Sequence, residues 1–138
     1  MKYALVVEND GKSSERISGL LKWLGYVTAL VKTPLQALNV VSSLKFNVIV
    51  TCVCRTKDDR RALTGELKRA VPDAAVILLT DEHEKATVSL ADCPGVSAVM
   101  AHPPSLDSLR RTLEFGIDGD GTQFTYSLPF RERRRRRF

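Results

Sequence analysis

The sequence predicts a doubly wound α/β sandwich on five parallel strands, and three observations predict it. Short apolar runs recur along the chain, segments of helical spacing separate them, and the best runs are continuously apolar instead of alternating. Continuous runs suit strands of a parallel sheet that is covered on both faces. Strands that alternate with helices are joined by right-handed crossovers, which place helices on both sides of the sheet. A length of 138 residues fits one such domain and not two.

The elements follow in order. Tyr3 to Val7 reads as a buried first strand, ended by the turn Glu8-Asn9-Asp10-Gly11. Ser13 or Ser14 can cap the next segment, where Ile17, Leu20, Leu21 and Leu24 fall at helical spacing and Gly25 suits the C′ position. Tyr26 to Val31 is rich in β-formers and reads as strand two. Thr33-Pro34 offers an N-cap followed by proline at the first helical position, and Leu35, Leu38 and Val41 give the stripe of that helix. Val48 to Val53 reads as strand three. Lys57 to Val71 is helical in composition, with Leu63 and Leu67 four apart, and Pro72-Asp73 turns the chain into a fourth strand, Ala75 to Leu79. Asp81 to Leu90 predicts a polar helix and Val96 to Ala101 a fifth strand. After the break at His102-Pro103-Pro104, Ser105 to Phe115 predicts a last helix with Leu106, Leu109 and Leu113 inward.

Composition excludes several function classes. The net charge of +5 belongs to one end of the chain: residues 131–137 hold six arginines and one glutamate, and the other 15 basic and 15 acidic residues cancel. High basicity therefore gives no reason to place nucleic acid on the folded body. Cys52, Cys54 and Cys93 form no disulfide framework, and Cys52-x-Cys54 lacks the second ligand pair of a zinc motif. No apolar run approaches the roughly 20 residues of a bilayer span. The amino-terminal run meets Glu8 too early for a secretory h-region, so a cytoplasmic protein is expected. Neither a cofactor nor a metal is expected.

In doubly wound sheets the functional crevice lies at the carboxyl ends of the strands. That rule selects Glu8, Asn9 and Asp10 after the first strand, Cys52 after the third, Thr80 after the fourth and His102 after the fifth. Five segments stand in a telling order: Leu5-Val6-Val7-Glu8-Asn9-Asp10, Val27 to Leu38 with its Ala37-Leu38 pair, Phe46-Asn47-Val48-Ile49-Val50-Thr51-Cys52, Leu78-Leu79-Thr80, and His102-Pro103. Together they make residues 1–115 resemble the receiver domains of bacterial response regulators. The resemblance implies a flavodoxin-like receiver sandwich and a role in two-component signalling or a phosphorelay. It also implies a strand that delivers a phosphoacceptor aspartate, a phosphate-sensing hydroxyl at Thr80, and Lys-Pro where this chain has His102-Pro103.

The departures from that family bear directly on function. Its members transfer phosphate from a histidine to an aspartate, with Mg²⁺ held by carboxylates. Here Asn9 stands at the position of the main metal-binding aspartate, Cys52 at the acceptor, His102 at the lysine and Val99 at the aromatic switch. Asp58 and Asp59 lie beyond the strand tip, and no shift of register brings them back without burying Lys57. The expectation is a degenerate phosphorylation pocket made of Glu8, Asn9, Asp10, Cys52, Thr80 and His102. Such a pseudo-receiver acts without phosphoryl transfer, by docking to another signalling protein or by homodimerising. No nucleophile–base–oxyanion set can be assembled, which argues against an enzyme. Each residue has a plainer reading: an inert buried thiol for Cys52 in place of a redox-active one, a solvated loop for Glu8 and Asp10, and a helix cap for Thr80 ahead of Asp81 and Glu82. His102 and His83 lack a supporting carboxylate pattern for a metal.

Residues 116–130 read as a linker with a possible extra strand, because Phe124, Tyr126 and Leu128 alternate with polar residues. Asp118-Gly119-Asp120-Gly121 is too short for a calcium loop. Gly119 to Pro129 also resembles the closing strand of histidine-kinase ATPase domains, but without that family's nucleotide-binding boxes no ATP site follows. Residues 131–138 form an arginine-rich tail. Its Arg131, Arg133, Arg134, Arg135, Arg136 and Arg137 suit nucleic acid or anionic lipid through counterion release, or a disordered, solubilising tail. The alternative function is therefore a nucleic-acid-associated regulator that binds through this tail.

Overall fold

A computed structural model of the chain describes residues 2–52, 57–80, 95–115 and 123–124. Five parallel strands are present: β1 (Lys2–Val7), β2 (Tyr26–Val31), β3 (Val48–Thr51), β4 (Ala75–Thr80) and β5 (Ala98–Ala101). Four helices accompany them: α1 (Gly11–Trp23), α2 (Pro34–Val41), α3 (Lys57–Ala70) and α4 (Leu106–Phe115). The sheet order is β2-β1-β3-β4-β5, and the two-residue β6 (Gln123–Phe124) runs antiparallel beside β5. The doubly wound α/β sandwich expected from the sequence is the observed fold. The polar helix expected at 81–90 and residues 125–138 lie outside the described residues.

Both faces of the sheet are covered, which accounts for the continuous apolar runs. On one face Ala4, Val6, Val50 and Ile77 pack under Ile17 and Leu21 of α1 and Leu109 and Leu113 of α4. On the other, Leu5, Val7, Ile49 and Leu78 pack under Ala37 and Val41 of α2 and Leu63 and Leu67 of α3. Every residue of β3 and β4 is buried. Leu67 is wholly buried, and truncating such a side chain to alanine costs about 2–5 kcal/mol.

Local chemistry ends the helices. The Thr33 hydroxyl accepts the Gln36 N–H at 3.2 Å, and the Gln36 amide oxygen accepts the Lys32 N–H at 2.7 Å, so both ends of the first turn of α2 are tied. Gly25 follows α1 with φ +94°, the left-handed conformation that only glycine adopts cheaply. Two expectations are corrected. The cap of α1 is Asp10, not Ser13 or Ser14: its carboxylate accepts the Lys12 N–H at 3.0 Å and its carbonyl accepts the Ser14 N–H at 2.9 Å. The helix thus starts earlier and carries both serines in its first turns. Leu35 is not part of the buried stripe of α2. It is 69% exposed, because the pair Ala37 and Val41, four residues apart, faces the sheet and turns Leu35 outward.

Candidate functional site

The strand order reverses around β1, with β2 on one side and β3 on the other. At such a switch point the carboxyl ends of the strands open a crevice. Main-chain bonds fix the residues that border it. The Glu8 N–H donates to the Val31 carbonyl at 3.0 Å, the Cys52 N–H to the Val7 carbonyl at 3.2 Å, and the His102 N–H to the Thr80 carbonyl. Three side chains leave the ends of β1, β3 and β5 and converge. Glu8 turns Oε1 to the Asp10 N–H at 3.0 Å and Oε2 into the crevice, where it accepts from the Cys52 thiol. Ser13 Oγ lies 3.4 Å from Glu8 Oε2 and 2.6 Å from His102 Nε2. The ligand atoms of Glu8, Cys52 and His102 all lie within 4.8 Å of one another, and each of these residues is half-buried.

Three of the six pocket residues expected from the sequence are therefore brought together, and the rest stand apart. Asn9 and Asp10 are exposed, and the Asp10 carboxylate caps α1. Thr80 is buried on the sheet face of Leu78, and neither its hydroxyl nor that of Thr51 has a hydrogen-bond partner among the described residues. Val99, at the position the resemblance gives to the aromatic switch, is wholly buried in the core on that same face of the sheet. Asp58 and Asp59 belong to α3, beyond the end of β3. Cys54, His83, Cys93 and the arginines from Arg131 to Arg137 lie outside the described residues. So does most of the segment that resembles a kinase ATPase strand. Ser13, which bridges Glu8 and His102, is expected from the sequence only as a cap. The aspartate at position 10 was the clue to it, because an earlier cap moves Ser13 into the crevice.

The receiver resemblance implies Mg²⁺, and these donors do not fit it. Magnesium takes near-octahedral sets of hard oxygens. The converging side chains offer one carboxylate, one thiol and one imidazole, and one oxygen of that carboxylate is already on the Asp10 N–H. A groove of about 650 Å³ lies at the opposite, amino end of the sheet, lined by Tyr3, Val27, Leu44, Phe46, Asn47 and Asp73. It shares no residue with the crevice.

No protein-family model matches the chain, and no curated protein is significantly similar to it. Solved structures do match. A CheY-like response regulator receiver domain from Methylobacillus flagellatus is 22% identical, with a TM-score of 0.70, over 82% of this chain and 96% of its own. A response regulator receiver domain protein from Clostridium thermocellum is 17% identical, with a TM-score of 0.71, over 100% of both chains. The receiver domain of a sensor histidine kinase from Pseudomonas aeruginosa, with a magnesium ion coordinated in its active-site cleft, is 24% identical, with a TM-score of 0.67, over 82% of this chain and 94% of its own. With the strand order and the two covered faces, these likenesses establish that the chain has the fold of a response-regulator receiver domain.

Proposed function

We propose that this chain is a receiver-like signalling module that acts through protein–protein contact and accepts no phosphoryl group. The observation that carries this reading is the thiol of Cys52 at the end of β3, held against Glu8. An acyl phosphate requires a carboxylate there, and phosphoryl transfer requires charge neutralisation by metal and cation. Among the described residues the crevice supplies neither a carboxylate at that position nor a set of hard oxygens, and His102 occupies the lysine position. Val99, buried and aliphatic, has no polar group to report on a phosphate. Both faces of the sheet carry a packed core among the described residues, and this reading assigns the function to the surface. The partner is another signalling protein or a second copy of the chain, in an intracellular setting. Among the described residues no helix is long and apolar enough to cross a membrane.

The test is incubation of the full chain with a small phosphodonor and Mg²⁺, followed by intact mass. The expected result is an unchanged mass. A stoichiometric phosphate adduct overturns the reading. Sedimentation of the purified chain then separates the two kinds of partner, since a self-associating module sediments as a dimer without any other protein.

A further inference from the structure

We propose that Glu8, Cys52 and His102 form a three-ligand site for a divalent transition metal of the zinc class, which ties together the carboxyl ends of β1, β3 and β5. The three donors are a carboxylate oxygen, a sulfur and an imidazole nitrogen, all within 4.8 Å of one another. Zinc holds such ligands at about 2.0–2.3 Å in a tetrahedron, so its donors stand roughly 3.5 Å apart. The backbones that launch the three groups are fixed by bonds to Val31, Val7 and Thr80, so side-chain rotation is the motion left to close that difference. A thiolate with an imidazole selects zinc, cobalt or copper over magnesium, by softness and by geometry. The fourth position is left to water, since the site is half-buried and reachable from solvent.

An outer contact that orients a ligand is also in place. Asp10 N–H holds the distal carboxylate oxygen of Glu8, the one that faces away from Cys52. Such contacts fix ligand direction and raise affinity. On binding, the Cys52 S–H bond breaks heterolytically, the proton leaves to solvent and a sulfur–metal bond forms, with no change of oxidation state. The metal site stands independently of the signalling reading, because it concerns which ion the crevice holds and not whether phosphate enters it.

The experiment is a Co²⁺ titration of the chelator-treated full chain, read by the thiolate-to-cobalt charge-transfer absorption and the visible d–d bands. The expected result is one equivalent of tetrahedral, thiolate-bound cobalt, displaced by Zn²⁺ and not by excess Mg²⁺, with a rise in melting temperature on Zn²⁺ addition. Cys52→Ser should abolish the charge-transfer band, and His102→Ala and Glu8→Gln should weaken binding by more than about 100-fold, beyond the range of outer-shell changes. Cys54→Ser, Cys93→Ser and His83→Ala should leave it unchanged, and circular dichroism checks that each variant is folded. Absence of the band in the wild type, or its persistence in folded Cys52→Ser, overturns the proposal.

Discussion

The Ser13 hydroxyl and the His102 ring nitrogen Nε2 lie 2.6 Å apart across 89 residues of sequence, so a polar contact joins the first turn of α1 to the end of β5. A half-buried hydrogen bond of this kind contributes about 0.5–1.5 kcal/mol. A double-mutant cycle of Ser13→Ala and His102→Ala in metal-free protein, followed by urea unfolding, should return a coupling of that size. Additivity within about 0.3 kcal/mol would show that the two residues act separately.

Two glycines with the same backbone conformation should respond differently to alanine. Gly25 and Gly95 have φ of +94° and +90°, but a Cβ at Gly25 meets nothing within 4 Å, whereas one at Gly95 falls 2.7 Å from Lys68 Cβ and 2.8 Å from the Thr64 carbonyl. Gly25→Ala should cost only the backbone penalty of about 1–2 kcal/mol. Gly95→Ala should add about 1–3 kcal/mol of overpacking between α3 and the chain entering β5. Equal losses in denaturant midpoints would remove the steric distinction.

Tyr26 gives the fold an alkaline limit. Burial, helped by the negative charge of Glu114, holds its phenol above the ordinary value of 10.0. A group whose pKa is raised on folding adds stability that is complete below its unfolded pKa and is lost as pH climbs through the folded one. Wild-type stability should therefore fall on going above about pH 10, and Tyr26→Phe should fall less steeply over the same range. Parallel slopes for the two proteins in denaturant titrations between about pH 9 and 11 would refute the linkage.

Restoring the acceptor alone should not restore phosphorylation. Cys52→Asp sets a second carboxylate against Glu8 Oε2 without a cation between them, and like charges so placed disfavour ionisation. That variant should be less stable than wild type and bind Mg²⁺ no better. Adding Asn9→Asp and His102→Lys supplies further oxygen and a fixed cation, and should give measurable Mg²⁺ binding by calorimetry. Trp23 is a poor optical reporter for this purpose: it is 78% exposed at the far end of α1. Tight Mg²⁺ binding by the single variant would mean that the crevice is closer to a working receiver than its donors indicate.

Much of the fold was legible because local chemistry and burial agreed. Tyr26 to Val31 was placed to the residue, and Thr33-Pro34 and Gly25 bounded their helices as capping rules require. Leu35 departs from the pattern: a stripe counted from the first leucine of α2 includes it, while the close contact with the sheet is made by the smaller Ala37. The candidate site was legible only in part. Position at the strand ends groups Glu8, Cys52 and His102 in one pocket with Asn9, Asp10 and Thr80, but it does not tell which of the six side chains converge. The carboxylate that stands near His102 comes from the end of β1. Sheet order creates the grouping, and no spacing within the sequence expresses it.

The central place of β1 has a vectorial consequence. Lys2 to Val7 is made before either of its neighbours, yet it has partners on both edges, pairing with Tyr26 to Val31 on one side and with Val48 to Thr51 on the other. A nascent chain can zip β1 to β2 as soon as α1 has formed, but it carries the opposite edge of β1, with the apolar run Ala4 to Val7, unpaired until β3 is made. Unpaired apolar edges invite pairing with other chains. Over that interval of synthesis the half-built sheet offers a template to any neighbouring nascent copy, and the arrival of β3 closes it.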